Sequence, residues 1–187
     1  MPSLEFPSLA RRILLADADA FFVAVARLVD PEGAGRASLL IVGGAPGSRG
    51  VVCSASYEAR RHGVRSAMPI SRALRLCPDA TCVPIPRRAC SNKSREIAAV
   101  LRRFAPVVEC ASIDEWYLDL TGADGVYPGR SLADVAASIR DAVREETGLS
   151  VSFGGGTSPT CRKARRRTGE AETRSTGVGR LRRFRRL

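Results

Sequence analysis

The chain is short of the residues that build several common active sites. It has a single histidine, His62, two lysines, Lys93 and Lys163, and one tryptophan among its 187 residues. No run approaches the ~18 uninterrupted apolar residues of a membrane span, and the N-terminus lacks a basic flank followed by an apolar stretch and a small-residue cleavage site. A cytoplasmic protein with no membrane partner is expected. The six cysteines (Cys53, Cys77, Cys82, Cys90, Cys110 and Cys161) form no Cys-x-x-Cys pair and have only His62 as an imidazole neighbour. That pattern argues against a zinc site and suits reduced thiols acting as small buried hydrophobes.

What the chain does have is positive charge. The 30 Lys and Arg side chains outnumber the 19 acidic ones, for a net charge of +11, which excludes an acidic disordered protein and points to an anionic partner such as nucleic acid. The surplus is unevenly placed. Residues 1–158 hold 19 basic and 17 acidic side chains, net +2, whereas residues 159–187 hold 11 and 2, net +9. GC-rich coding explains the bias to arginine more simply than a need for guanidinium geometry. The length suffices for one domain or two small ones, because a chain of ~150 residues hides roughly 70% of its unfolded surface.

Along the chain, the apolar run 12–16 ending in Asp17 predicts a buried strand, and Phe21, Phe22, Val25, Leu28 and Val29 follow helical spacing. Residues 39–42 and 51–54 are strand candidates separated by a Gly-rich turn. Residues 56–62 and 69–76 read as short helices, the second with Pro69 at its first position. Ile97, Val100, Leu101 and Phe104 form an i, i+3, i+4, i+7 stripe, which predicts an amphipathic helix over 91–104. Strands over 107–113 and 116–121 leave Asp114 and Glu115 as the tip of a tight hairpin. A helix capped by Ser131 and a strand over 149–153 follow.

The order β-α-β-β-α-β is that of the split βαβ, or ferredoxin-like, unit, with residues 28–86 as an insertion. The expected fold class is therefore α+β. In that topology the first and third strands are central neighbours, which brings Asp17 beside Asp114 and Glu115. Three converging carboxylates with no His, Cys or Lys nearby suit hard cations such as Mg²⁺. Two such ions about 3.5 to 4 Å apart serve phosphoryl or nucleotidyl transfer. Solvated turn residues are the plain alternative for the same three acids. Asp19 either shares the face of Asp17 or, the preferred reading, caps the next helix.

Three segments resemble the Y-family translesion DNA polymerases, closest to the bacterial DNA polymerase IV type with its UmuC-like domain. They are Asp17-Ala18-Asp19-Ala20-Phe21-Phe22, the stretch from Ser54 through Tyr57, Arg60 and His62 to Pro69, and Ser112-Ile113-Asp114-Glu115 with Tyr117-Leu118-Asp119. The resemblance implies a palm formed by 1–27 and 87–158, with a small α/β fingers domain over 28–86. It also implies two Mg²⁺ ions held by Asp17, Asp114, Glu115 and the carbonyl of Ala18, with Glu115 at the position usually assigned as catalytic. Phe22 matches the steric gate against a 2′-hydroxyl, and Tyr57 and Arg60 match contacts to the β and γ phosphates. Without the motif, Phe22 reads as a core residue and Arg60 as part of a solvated helix face.

The implied activity is template-directed, low-fidelity extension of a primer 3′-OH with deoxynucleoside triphosphates, in DNA repair and damage bypass. Small residues at Cys53, Ser54 and Ala55 suit a roof that presses weakly on the nascent base pair. Arg65 and Arg72 are read first as surface arginines, with template phosphates as the other reading, and Arg87, Arg88, Lys93, Arg95, Arg102 and Arg103 as a solvated face. A monomer is expected. The thumb, the little finger and the peptide that binds a sliding clamp would lie beyond residue 187, so weak or no processive synthesis is expected of this chain alone.

After Ser158 the family pattern is lost. Read one nucleotide later, Lys163 into Ala164 yields only Lys or Arg, Ala164 into Arg165 permits Leu, Glu170 into Ala171 again yields Lys or Arg, and the next codon permits Pro. That register fits the family's Ala-Lys-Leu-Ala helix and Ala-Lys-Pro loop, so residues 159–187 read as a frameshifted, disordered, arginine-rich tail. A genuine basic arm on DNA phosphates is the rival. Two other functions compete with the polymerase: a non-catalytic DNA-binding accessory remnant, which would be expected to have lost the acids, and a nucleotide cyclase, whose Gly-Gly-Asp/Glu-Glu-Phe hairpin is missing.

Overall fold

The computed structural model describes residues 12–156; the arginine-rich stretch 159–187 lies outside them. In chain order the elements are β1 (Ile13–Ala18), α1 (Phe21–Val29), β2 (Leu40–Gly43), β3 (Val52–Ala55), α2 (Tyr57–Arg61) and α3 (Ile70–Leu76). They are followed by β4 (Thr81–Val83), α4 (Arg87–Arg102), β5 (Val107–Cys110), β6 (Glu115–Asp119), α5 (Leu132–Thr147) and β7 (Val151–Gly156). The result is a mixed α+β protein in two compact units, one of residues 12–17, 97–146 and 151–156, the other of 18–96 and 147–150.

The first unit is built on a four-stranded sheet in the order β5-β6-β1-β7. β1 and β6 run antiparallel, with Leu14 opposite Leu118 and Ala16 opposite Trp116. All four side chains are fully buried. Successive side chains of a strand point to opposite faces, so the intervening pairs, Leu15 with Tyr117 and Asp17 with Glu115, share the other face. None of these last four is buried. One face of this strand pair is thus committed to the core, while the other is buried at Ile13 and opens towards the end that carries Asp17 and Glu115.

Helix α5 starts as its sequence suggests. The Ser131 hydroxyl accepts from Asp134 N (3.2 Å) and donates to Asp134 Oδ2 (2.6 Å), while Ser131 N donates to the same oxygen (3.1 Å). Two otherwise orphaned donors are satisfied by this reciprocal cap. The hydrogen bonds from the Ser131 hydroxyl and backbone hold the exposed Asp134 carboxyl below its ordinary pKa. The buried apolar residues of the helix, Val135, Ala136, Ile139 and Val143, keep the 3.6-residue period.

The second unit is layered about β2, the middle strand of the sheet β3-β2-β4. Ile41 joins a cluster with Val52, Ala55, Ala59, Ile70, Ala73 and Cys77. Its neighbours Leu40 and Val42 enter a different cluster with Val23, Ala26 and Ala34. Burial on both faces explains why β2 is a continuous apolar run without alternation. Beyond β2 the chain turns back through a glycine pair: a Cβ on Gly44 would meet the Cα of Gly50 at 2.6 Å, so neither position admits a side chain without a backbone shift.

Several boundaries differ from the sequence expectation for local reasons. Helix α4 begins at Arg87 and not at residue 91, because its buried stripe runs Cys90, Ser94, Ile97, Leu101 and includes a polar member. Pro69 stands at the N-cap of α3 instead of inside its first turn. Strand β4 was not signalled by any local pattern; it is three residues long and pairs in parallel with β2. Of the described cysteines, Cys77 and Cys90 are buried, with burial pushing both thiols up, and Cys53 and Cys82 are partly buried. Cys110 departs from the expected pattern and is exposed.

Candidate active site

The register of β1 against β6 places Asp17 directly opposite Glu115, two acids 98 positions apart in the chain. In an antiparallel pair, directly opposed residues have Cβ atoms about 4.5–5.5 Å apart, so two carboxylates here share one small volume. Asp17 is exposed and Glu115 half-buried. The hairpin differs from expectation in one respect. Glu115 is the first residue of β6, paired in the sheet, and only Asp114 of the two lies in the turn. The consequence is a firmer mount for Glu115 than a hairpin tip provides.

The turn is closed by Glu115 itself, whose carbonyl accepts from Ala111 N (2.9 Å) and Ser112 N (3.2 Å). Within it, the Ser112 hydroxyl donates to Asp114 Oδ1 (2.6 Å) and accepts from Asp114 N (3.3 Å). The Asp114 carboxylate is therefore engaged locally. Among the described residues, no three His, Cys, Asp or Glu side chains are gathered as a ready ligand set. Chemically the donors fit a hard divalent cation, since all are carboxylate or carbonyl oxygens. The backbone register already opposes two of them.

Asp19 has a different task from the one expected. The N-cap of α1 is Ala20, in a left-handed conformation (φ 45°, ψ 41°), and no side chain caps the helix. The Asp19 carboxylate instead accepts from the Ser150 hydroxyl (2.9 Å), while Asp19 N donates to Ser150 O (3.0 Å). This two-point clasp holds the chain just past β1, where Ala20 adopts a conformation that costs an L-residue about 1–2 kcal/mol. Sequence reasoning had no signal for Ser150, which lies far away in the chain.

The remaining site residues belong to the second unit. Ala18 is buried at the end of β1. Phe22 is half-buried: it packs at the margin of the cluster around Val23 and Leu40 and meets Phe21 edge-on at 5.5 Å. The solvated helix face expected from spacing alone is realised only in part by α2. Tyr57 is 51% exposed, and the Arg60 guanidinium lies over its ring, 5.2 Å from the centroid. Arg60 Nε donates to Ala55 O (2.9 Å) and Nη2 approaches the Ser54 hydroxyl (3.5 Å), so this arginine is held by backbone and ring and not left to wander in solvent.

Ser56 caps that helix from a buried position. Its hydroxyl donates to Ser38 O (2.8 Å) and accepts from Leu40 N (3.1 Å) and Ala59 N (3.3 Å), tying α2 to the segment that leads into β2. Arg65, by contrast, donates to the carbonyls of Arg60 and Val64 from an exposed position.

The fold is shared with solved structures of DNA polymerases. DinB from Sulfolobus solfataricus superposes with a TM-score of 0.70 at 31% identity, over 78% of this chain and 42% of that one. An insertion ternary complex of Dbh DNA polymerase gives 0.68 at 31% identity over the same shares. The chain belongs to the impB/mucB/samB family (IMS), the UmuC-like domain of the Y-family polymerases, which matches residues 16–164. Among curated relatives, a DNA polymerase IV of Methanoculleus marisnigri is 47% identical over 148 residues and one of Alkalilimnicola ehrlichii 44% identical over 144. The chain spans about two-fifths of the length of these relatives, 40% and 39%.

Proposed function

We propose that this chain carries the palm and fingers of a template-directed DNA polymerase of the low-fidelity translesion type, extending a primer 3′-OH in DNA repair and damage bypass. The observation that carries the reading is the direct opposition of Asp17 and Glu115 across β1 and β6, with Asp114 next in the chain, in a member of this family. The palm is assigned to 1–27 and 87–158 and the fingers to 28–86. The strand order β5-β6-β1-β7 supports a ferredoxin-like palm, since it sets the first and third strands of that unit side by side.

Asp17, Asp114, Glu115 and the Ala18 carbonyl would hold two Mg²⁺ ions. Bound there, divalent ions supply activation of an attacking oxygen and neutralisation of charge on the departing phosphates. The protein's own contribution is positional. The paired strands fix Asp17 and Glu115 relative to one another, which supports a role beside the primer 3′-oxygen; that oxygen would lose its proton and bond to the α-phosphorus as the bond to the pyrophosphate oxygen breaks. Tyr57 and Arg60 are assigned to the β and γ phosphates, and the anchored guanidinium supports this, since a pre-set planar donor loses little freedom on binding. Phe22 is assigned as the gate against a 2′-hydroxyl. Its half-buried ring, braced by Phe21, supports that role better than full burial would.

The partners that follow are primer-template DNA and deoxynucleoside triphosphates, with a monomeric chain. A sliding clamp is a further partner in the same scheme. Extension of a labelled primer with Mg²⁺ and nucleotides tests the proposal. Wild type is expected to add at least single nucleotides and Asp114→Ala none. Equal products from the two would refute it, and DNA binding without metal-dependent extension would favour a non-catalytic accessory role.

A further inference from the structure

Ser112 is fixed at every polar atom it has. Its N–H donates to the Glu115 carbonyl (3.2 Å), its own carbonyl accepts from the Cys110 thiol (2.9 Å), and its hydroxyl bridges the N–H and carboxylate of Asp114. A serine with one such bond is ordinary. One with all of them, in a two-residue reach of a proposed ligand, acts as a jig. The hydroxyl has a single proton, and at 2.6 Å that proton is committed to Asp114 Oδ1. This fixes the side-chain torsion of Asp114 and leaves Oδ2 without a protein hydrogen bond among the described residues.

We propose that Ser112 is a positioning residue for divalent-cation binding, setting the Asp114 carboxylate so that Oδ2 is presented to the ion; this rests on the polymerase reading of the three acids. Partners of ligating carboxylates outside the coordination shell commonly contribute about 10–100-fold to metal affinity, because the ligand no longer has to be ordered when the ion arrives. Ser112 also couples the acids mechanically. Its N–H is bound to the carbonyl of Glu115 and its hydroxyl to Asp114, so both proposed ligands are referred to one residue.

The test is Mn²⁺ binding to the full 187-residue chain, followed by electron paramagnetic resonance of the free ion, with thermal unfolding in EDTA as a control. Ser112→Ala is expected to weaken Mn²⁺ binding about tenfold with little change in the metal-free unfolding midpoint. Ser112→Thr, which keeps the hydroxyl, is expected to retain wild-type affinity. Equal affinity of wild type and Ser112→Ala would overturn the role of Ser112 while leaving the three-acid site standing. Wild-type binding that survives Asp17→Asn and Asp114→Asn unchanged would overturn the site itself, and the proposal with it. Loss of affinity in both Ala and Thr variants would show that the turn, not the hydroxyl, matters, and would also refute it.

Discussion

Opposing two carboxylates across a strand pair has a cost that the metal-free protein must bear. For unit charges about 5 Å apart in surroundings close to water, Coulomb repulsion is roughly 0.8 kcal/mol, and like charges directly opposed in a sheet are destabilising on this scale. Asp17 is exposed, so salt at physiological strength, with a Debye length of about 8 Å, trims the figure to about 0.4 kcal/mol. Asp17→Asn keeps the shape and an acceptor oxygen while removing the repulsion. It is therefore expected to raise the unfolding midpoint in EDTA by about 1–2 °C for a chain of this size. Adding Mn²⁺ reverses the ranking. At free ion ten times its dissociation constant, wild type gains about 1.4 kcal/mol by mass action, whereas the variant gains little. The assay is a pair of melting curves, with and without the ion, and a third at 0.5 M salt, where the EDTA difference should shrink. An Asp17→Asn protein that melts below wild type in EDTA, or that gains as much from Mn²⁺, refutes the reasoning.

Ser56→Ala should cost about 2–4 kcal/mol in urea unfolding, since it removes the cap of α2 and strands two buried N–H groups, those of Leu40 and Ala59; a loss under about 1 kcal/mol would show that water replaces the hydroxyl. Ser131→Ala should lower the midpoint by about 2–4 °C, as a lost N-cap does. Because Asp134 is held below its ordinary value of 3.8, its contribution is complete above that pH and fades as pH falls through the lower folded value. The variant should therefore lack that part of the wild-type acid sensitivity, and identical acid melting profiles would contradict this. Phe22→Ala in the primer-extension assay should raise ribonucleotide incorporation relative to deoxyribonucleotide, and unchanged sugar selectivity would remove Phe22 from the gate.

The parts of this protein that can be read from sequence are those with period or motif. Helix α5 announces itself by its apolar stripe and its Ser131 cap, and β1 and β6 by apolar runs ending in acids. Asp17 and Glu115 could be set opposite one another from topology alone, because the first and third strands of the split βαβ order are neighbours; Asp114 stays in the turn with Ser112. Short polar partners were not legible. Nothing in the sequence marks Ser150 as the partner of Asp19, or Ser112 as more than the start of a turn, because such pairings depend on atomic distances that no periodicity encodes. Ser94 hid the start of α4 for a related reason, a polar residue occupying a core position. Parallel pairing of β4 with β2 left no local trace, since three residues carry too little pattern.

The segment from residue 18 to 96 leaves the first unit at the end of β1 and rejoins it within α4, so it is spliced into one connection of the carboxylate-bearing sheet. Closing a flexible loop becomes only about 0.6 kcal/mol harder for each doubling of its length. The β1–β6 pairing is thus only weakly sensitive to the length of that segment. The inserted unit can be enlarged or shrunk without moving Asp17 relative to Glu115. The carboxylate-bearing sheet and the inserted unit can then drift at separate rates along one chain.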